Sequence, residues 1–203
     1  MRARLASGNP HKLDELRAAL PGWELALLET DEPYPPEDGA SYEENARGKA
    51  RFGRRLAPAD EWVLGEDSGI EVAVLGGAPG VESARWAEDG VAALLEALDG
   101  SEDRRARYVC ELVAFGPDGT ELRGTGVLEG RIASAPRGAE GFGYDPIFVP
   151  DGETRTVAAL GNAWKRSHSH RARAAAALAA TLAATLATAL PGRDVSGPGP
   201  HMS

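Results

Sequence analysis

The chain has 203 residues, enough for one large domain or for two lobes that share a core. Its formal net charge of −9 argues against binding to long nucleic acid, which usually needs a basic surface, but permits a small anion in a local positive pocket. The single cysteine, Cys110, excludes an internal disulfide, and because no signal peptide begins at Met1 we expect a cytoplasmic protein.

The N-terminal part predicts a strand, a tight loop and a helix. Residues 2–6 are typical of a short strand, and Leu13, Leu16 and Leu20 share one face of the helix that follows. The loop between these two elements contains Ser7, Gly8, Asn9, Pro10, His11 and Lys12.

This loop has both a structural and a functional interpretation. Asn9 is a good N-cap and Pro10 suits the first helical position, which is sufficient reason for both residues. Free N–H groups at a helix N-terminus also bind phosphate. Lys12 would matter more than the helix dipole. A lysine charge about 4 Å from a phosphate contributes up to about 4 kcal/mol of attraction at an effective dielectric of about 20, before the cost of desolvation. The helix dipole contributes about 0.3–1 kcal/mol.

A second strand and a second helix follow. Residues 23–28 predict the strand, and the prolines within residues 33–39 predict a loop. Ser41 and Glu44 fit a capping box at the start of the helix, which gives Glu44 a structural role. One face of this helix carries Tyr42, Asn45, Lys49 and Phe52.

The third predicted strand ends in two adjacent acids. Residues 62–64 are a short apolar run, which we expect to end with Glu66 and Asp67 before a turn at residues 68–69. Carboxylates at the end of a buried strand lie at a cleft edge, where open sheets bind ligands. Adjacent strand residues point to opposite faces, so only one acid can serve a given site directly, and we favour Asp67 because it adjoins the turn. The structural alternative is an ordinary acidic turn.

The middle of the chain combines a glycine-rich bend with long strands. Residues 76–85 contain three glycines and a proline, so the backbone bends sharply or approaches another group closely. Residues 105–115 and 120–132 predict two strands around a hairpin turn. Gly124 and Gly126 in the second strand mark a bulge or a close backbone approach.

The motif that contains Phe142, Gly143, Tyr144 and Asp145 follows a glycine turn. A turn that leads into an aromatic strand is one explanation. The other is nucleotide binding, because an aromatic pair beside an acceptor can stack on a purine and form hydrogen bonds with it.

The last motif begins at Lys165. Ser169 can cap the helix that follows, which places His170 and Arg171 in its first turn. His168 and His170 do not indicate zinc, because no cysteine or acid nearby completes the site.

From residue 172 to 190 the chain is nearly all Ala, Leu and Thr. A leucine at every fourth position from Leu178 predicts a helix with one apolar stripe, packed on the protein body. Ala is too weakly apolar, and Thr too frequent, for a membrane span. Residues 192–203 are rich in Gly and Pro and predict a disordered tail, whose last five residues are typical of a sequence added by cloning.

Five of these motifs resemble, in order, the signature of the inosine triphosphate pyrophosphatase family, the RdgB/HAM1-type enzymes. They span residues 7–15, 44–50, 67–85, 141–146 and 165–171. Each motif alone is weakly specific, but the ordered set is very specific. The resemblance implies an α/β, ITPase/Maf-like fold in which residues 1–191 form two lobes around a long central mixed sheet, with the active-site cleft between them. This family usually has Asp where this chain has Glu66, and a longer segment at residues 86–90.

The resemblance also implies roles for individual residues. Asp67 would activate the attacking water and, with Glu37, hold Mg²⁺, for which Mn²⁺ could substitute. Lys12, Lys49 and Lys165 would neutralise the triphosphate. The remaining substrate contacts would come from Ser7, Gly8, Asn9, Pro10, His11, Ser68, Phe142, Gly143, Tyr144, Asp145, His170 and Arg171.

The function that these roles imply is Mg²⁺-dependent hydrolysis of ITP, dITP and XTP to the monophosphate and pyrophosphate. The residues independently favour a phosphoanhydride hydrolase, because an acidic cluster that binds Mg²⁺ usually needs substrate phosphates to complete its octahedron. Two alternatives stay open: a Maf-like pyrophosphatase with another base preference, and a nucleotide-binding regulator without turnover. The expected partners are a small nucleotide and a second copy of the chain, with no nucleic acid polymer and no membrane.

Overall fold

The computed structural model describes residues 1–189 as an α/β protein built on a six-stranded mixed sheet. The strand order is β2-β1-β3-β4-β5-β6; β1 runs parallel to β2 and β3, and the other neighbours pair antiparallel. The strands are β1 Arg2–Leu5, β2 Glu24–Leu27, β3 Trp62–Val72, β4 Arg105–Phe115, β5 Glu121–Ile132 and β6 Phe148–Pro150. The predicted fold class is confirmed. The predicted tail at 192–203, and the domain bound at residue 191, lie outside the described residues.

Six α-helices occur within residues 1–189 and cover both faces of this sheet. They are α1 Pro10–Ala19, α2 Tyr42–Leu56, α3 Gly90–Ala97, α4 Val157–Leu160, α5 Asn162–His168 and α6 His170–Ala189. Two short 3-10 turns, Ala73–Leu75 and Gly80–Glu82, lie between β3 and α3. Among these described helices, none combines the length and the apolar character that a membrane crossing requires.

Strand β3 is longer than the sequence predicts. The expected turn at residues 68–69 is wrong, because β4 pairs with β3 without interruption from Val63 to Val72. The parallel partner β1 reaches only as far as Leu64. Glu66 and Asp67 therefore lie in the middle of a long strand, just beyond the point where β1 ends.

Two large apolar clusters divide the long strands into halves. In β3, Leu64 belongs to a cluster with α1 and α6, whereas Ile70 and Val72 belong to a cluster with α3 and β6. Glu66 and Asp67 fall between the two clusters, at the junction of the two halves of the sheet.

Helix α6 lies on β5 in close contact. A methyl group at Gly124 or Gly126 would overlap the carbonyl oxygens of Ala174 and His170, so the predicted close backbone approach is confirmed. Leu178 and Leu182 are buried as expected, but Leu186 is exposed. The prediction is wrong there because the helix continues past the start of β5, and Leu190 lies outside the described residues.

Candidate active site

The start of α1 is held by Asn9, whose side-chain oxygen accepts a hydrogen bond from the backbone N–H of His11 at 2.9 Å. The backbone N–H of Asn9 in turn donates to Ser7 Oγ at 3.2 Å. The predicted N-cap is therefore confirmed. The cap directs the first turn of α1 toward β3, where Lys12 Nζ lies 2.6 Å from Glu66 Oε2.

Glu66 is fully buried and binds two cations. Besides Lys12, it accepts a hydrogen bond on Oε1 from Arg171 Nε at 3.0 Å. Burial opposes ionisation of this carboxyl, but the charges of Lys12 and Arg171 outweigh that effect and hold its pKa well below the ordinary range. Both oxygens of Glu66 face cations, so its role in this arrangement is to orient Lys12 and Arg171.

Asp67 points to the opposite face of β3, as expected for adjacent strand residues. Its Oδ1 lies 3.4 Å from Lys49 Nζ, and its Oδ2 accepts a hydrogen bond from Asn45 Nδ2 at 2.9 Å. Lys49 also reaches Glu37 Oε1 at 2.5 Å, so one buried ammonium group joins the two predicted metal-binding acids.

The pKa values of the two acids beside Lys49 are shifted in opposite directions. Burial raises the pKa of Asp67, and Lys49 and Asn45 offset only part of that increase. Burial also acts on Glu37, but there the charge of Lys49 prevails and lowers the pKa. The pKa of Lys49 is raised, because the three nearby carboxylates overcome its burial. The surroundings thus favour the protonated form of Asp67 and the ionised form of Glu37.

The donor set of this face fits Mg²⁺ completed by a phosphorylated ligand. Glu37 and Asp67 offer the oxygen ligands that Mg²⁺ prefers, and Mg²⁺ is usually held by one or two carboxylates together with substrate phosphates. Within residues 1–189 no group of three or more His, Cys, Asp or Glu side chains could hold a metal ion alone. The chain by itself thus supplies a partial coordination shell.

On the other face of β3 lies a cavity of about 140 Å³. Its lining combines four of the five sequence motifs: Asn9 and Lys12, then Ser68, then Phe142, Gly143, Tyr144 and Asp145, and finally His170 and Arg171. The cavity is more apolar than polar, and Glu66 binds the two cationic residues of its lining, Lys12 and Arg171. This is the composition expected for a planar ring that carries a few polar atoms.

Asp145 in the cavity wall accepts three hydrogen bonds. Its Oδ2 accepts hydrogen bonds from Lys165 Nζ at 2.7 Å and from the backbone N–H of Phe142 at 2.8 Å. Its Oδ1 accepts one from the Tyr108 hydroxyl at 3.3 Å. The Asp145 carboxylate is thereby fixed in orientation.

Lys165 lies deeper than the sequence interpretation implies. Its ammonium group is buried between Asp145 and Glu15, 2.7 Å from each, and lies 4.4 Å from the centre of the Phe142 ring. In this arrangement Lys165 supports the motif that contains Phe142 and Asp145. Its predicted contact with a triphosphate stays a prediction.

Phe142 forms one side of the cavity. Its ring stacks on His11 with centroids 5.4 Å apart, and Arg171 lies 5.1 Å from the ring centre. Lys165 and Arg171 therefore both lie within cation–π distance of the phenyl ring.

His170 is buried and stacks on Tyr108 at 4.6 Å. Burial, reinforced by the charge of Arg171, keeps its pKa well below the ordinary value, so the imidazole is neutral at pH 7. Its Nδ1 makes no hydrogen bond with the described part of the chain. The ring lines the cavity, and this nitrogen is buried behind its surface.

The predicted residues thus form two sets on opposite faces of β3. One set, Glu37, Lys49 and Asp67, lies toward α2, and most of the other set lines the cavity. Ser7, His11 and Lys165 lie outside the cavity lining. Gly8 and Pro10 do not line the cavity and are exposed, so their part is to shape the loop.

Sequence interpretation assigned no site role to three residues that the structure places at the site. Glu15 closes the first motif and binds Lys165, Asn45 binds Asp67, and Tyr108, in a predicted strand, binds Asp145. Asn45 could have been found, because it shares the helix face of Lys49. Tyr108 could not, since nothing in its own strand indicates that Asp145 lies opposite.

An α/β fold in which acids, lysines and an aromatic pocket meet on one long strand defines a protein suited to a phosphorylated ligand with a planar ring. The chain belongs to the Ham1 family, whose model matches residues 3–181. The resemblance found in the motifs is thereby confirmed.

Similar proteins cover most of the chain. A protein of Symbiobacterium thermophilum named dITP/XTP pyrophosphatase is 48% identical over 183 residues, covering 85% of this chain and 90% of the relative. One of the same name from Deinococcus deserti is 44% identical, covering 86% of each. The solved Ham1 protein of Staphylococcus aureus has a TM-score of 0.79 at 34% identity, covering 91% of this chain and 100% of its own.

Proposed function

We propose that this protein hydrolyses non-standard purine nucleoside triphosphates, namely dITP, XTP and ITP, to the monophosphate and pyrophosphate. Family membership and relatives named dITP/XTP pyrophosphatase support this function. The observation that carries it is the position of Asp67: a carboxylate of raised pKa beside Lys49 and Glu37, one residue from Ser68 in the cavity wall.

Asp67 would act as the general base. A water oxygen attacks the α-phosphorus while its proton passes to the Asp67 carboxylate, and the bond from the α-phosphorus to the bridging oxygen breaks to release pyrophosphate. A raised pKa favours this transfer, because it brings the base closer to the operating pH.

The metal in this proposal is Mg²⁺, held by Glu37 and Asp67 together with the substrate phosphates. It would neutralise phosphate charge and orient the reacting group. The chain adds Lys49 beside both acids and Lys12 at the start of α1, so cations approach the cleft from both faces of β3.

Base selection would come from the part of the wall beside Phe142. There the Arg171 guanidinium lines the cavity and offers hydrogen-bond donors. A 6-oxo purine presents an acceptor to such donors, whereas the 6-amino group of adenine would place donor against donor.

The test is a substrate panel with product identification. Purified protein with Mg²⁺ should release pyrophosphate from ITP, dITP and XTP far faster than from ATP or GTP. Equal rates across the panel, or release of orthophosphate, would contradict the proposal. A preference for a modified pyrimidine would favour a Maf-like enzyme, and tight ITP binding without turnover would favour a regulator. Light scattering tests the expected homodimer.

A further inference from the structure

One buried amide connects the proposed base to the loop that carries the proposed metal ligand. Asn45 in α2 is 5% exposed, and its Nδ2 donates to Asp67 Oδ2 at 2.9 Å. Its Oδ1 accepts from the backbone N–H of Gly39 at 2.8 Å. Gly39 lies two residues after Glu37, so both proposed metal ligands are tied to the same side chain.

The chemistry of the two partners determines which residue can occupy this position. A backbone N–H only donates and a carboxylate only accepts, so the connecting side chain must accept at one end and donate at the other. Asn meets both requirements. Asp has the same shape but would lose the donor and place two carboxylates in contact, and Leu would satisfy neither partner.

The loop is also held by close packing. A Cβ at Gly39 would lie 2.7 Å from Asn45 Oδ1 and 2.9 Å from Glu44 Cβ, so the loop backbone rests directly on the first turn of α2. Glu37 itself is held from two sides. Lys49 binds its carboxylate, and the Arg85 guanidinium donates to its carbonyl oxygen at 2.6 Å.

We propose that Asn45 is a positioning residue that couples the orientation of Asp67 to the placement of the Glu37 loop. With Oδ2 engaged by Asn45, Oδ1 of Asp67 is the oxygen that faces Lys49. Loss of the amide frees the carboxylate to rotate and releases the loop, so turnover and metal requirement change together. This inference depends on the proposed function for its kinetic consequences, and its structural claim stands apart from them.

The kinetic test compares substitutions at the two ends of the connection. Asn45→Asp should lower kcat for ITP at saturating Mg²⁺ by about tenfold or more, with the KM for ITP within about threefold of wild type. It should also raise the Mg²⁺ concentration needed for half-maximal rate. Gly39→Ala acts at the loop end of the connection and leaves the amide donor to Asp67 in place, so it should raise the Mg²⁺ requirement with a smaller loss of kcat.

The matched control is Phe52→Leu. Phe52 is buried on the same face of α2 but packs against Leu28, Val63 and Tyr34 rather than against the site. This variant should lower the melting temperature while kcat stays within about twofold of wild type. If Asn45→Asp behaved like Phe52→Leu, with kcat and Mg²⁺ requirement unchanged, the positioning role would be refuted.

A second readout does not depend on turnover. In the nucleotide-free protein, amide hydrogen exchange at residues 37–40 should be faster in Asn45→Leu than in wild type, and unchanged in Phe52→Leu. Equal exchange in Asn45→Leu and wild type would overturn the inference even if the enzyme is active. A wild-type protein that releases no pyrophosphate from ITP would instead refute the proposed function, and the exchange comparison would still decide the role of Asn45.

Discussion

Replacing Glu66 by Gln tests whether the cavity wall depends on a buried negative charge. The carboxylate is 0% exposed and lies 2.6 Å from Lys12 Nζ and 3.0 Å from Arg171 Nε. Gln keeps the shape and one acceptor but loses the charge and the second acceptor. A hydrogen bond to a charged group contributes about 1.5–3 kcal/mol, and removing one partner from a buried ion pair costs about 3–5 kcal/mol. Because one acceptor survives and Arg171 retains Glu15 at 3.3 Å, we expect a loss of about 2–4 kcal/mol.

Urea denaturation at pH 7, followed by circular dichroism, measures this free energy of unfolding. For a protein of this size the melting temperature should fall by about 4–16 °C. The control is Glu129→Gln, because Glu129 is exposed and its ion pair with Arg107 is long, at 4.0 Å. This substitution should change the free energy of unfolding by less than about 0.5 kcal/mol. Glu66→Asp keeps the charge and should be more stable than Glu66→Gln.

The sign of the pH effect follows from the depressed pKa of Glu66. The stabilisation that its charge provides is complete above the unfolded pKa of about 4.3 and is lost as pH falls toward the lower folded value. The stability gap between wild type and Glu66→Gln should therefore narrow below about pH 4. If the free energy of unfolding of Glu66→Gln at pH 7 were within about 0.5 kcal/mol of the wild-type value, the cavity wall would not depend on the buried charge.

Three further predictions address the base, the buried histidine and the contact between α6 and β5. Asp67→Asn should lower kcat for ITP by about 10²–10⁴-fold in a pyrophosphate-release assay. In wild type, kcat/KM should decrease as the pH is lowered, with a midpoint above the ordinary pKa range of Asp, because the pKa of Asp67 is raised. The pKa of His170 is depressed in the folded protein. The neutral imidazole therefore contributes fully to the free energy of unfolding above the unfolded-state pKa of about 6.5, and this contribution falls by up to about 1.4 kcal/mol per pH unit below it. His170→Phe should remove this pH dependence in urea titrations. Gly126→Ala should destabilise the protein by about 1–3 kcal/mol in thermal melts, because the methyl group overlaps α6, whereas Gly22→Ala, with open space around it, should have little effect. Near-wild-type turnover in Asp67→Asn, an unchanged acid slope in His170→Phe, or equal melting of the two alanine variants would contradict the respective argument.

Local rules account for the elements that the sequence identifies correctly. Asn9, Ser41 and Ser169 were predicted as N-caps, and in the structure each side-chain oxygen accepts a backbone N–H two or three residues ahead. Capping depends on residues within one helical turn, so the pattern is contained in the sequence itself. The hairpin between β4 and β5 and the opposite orientations of Glu66 and Asp67 follow in the same way from short-range geometry.

The errors arise where distant segments decide the outcome. The turn expected at residues 68–69 is absent because β4, about forty residues away in the chain, pairs with the whole of β3. Leu186 belongs to the same leucine repeat as Leu178, yet it is exposed because the sheet beneath α6 has ended. Neither strand length nor sheet extent is marked in the residues concerned.

The sequence alone determined the fold class, the starts of α1, α2 and α6, and the family, because these depend on patterns contained in short motifs and their order. Only the tertiary structure decided which acid each lysine meets: Lys12 binds Glu66, Lys49 joins Glu37 to Asp67, and Lys165 lies between Glu15 and Asp145. The physical reason is that an ion pair depends on distance through space, and folding brings together charges that no local rule relates.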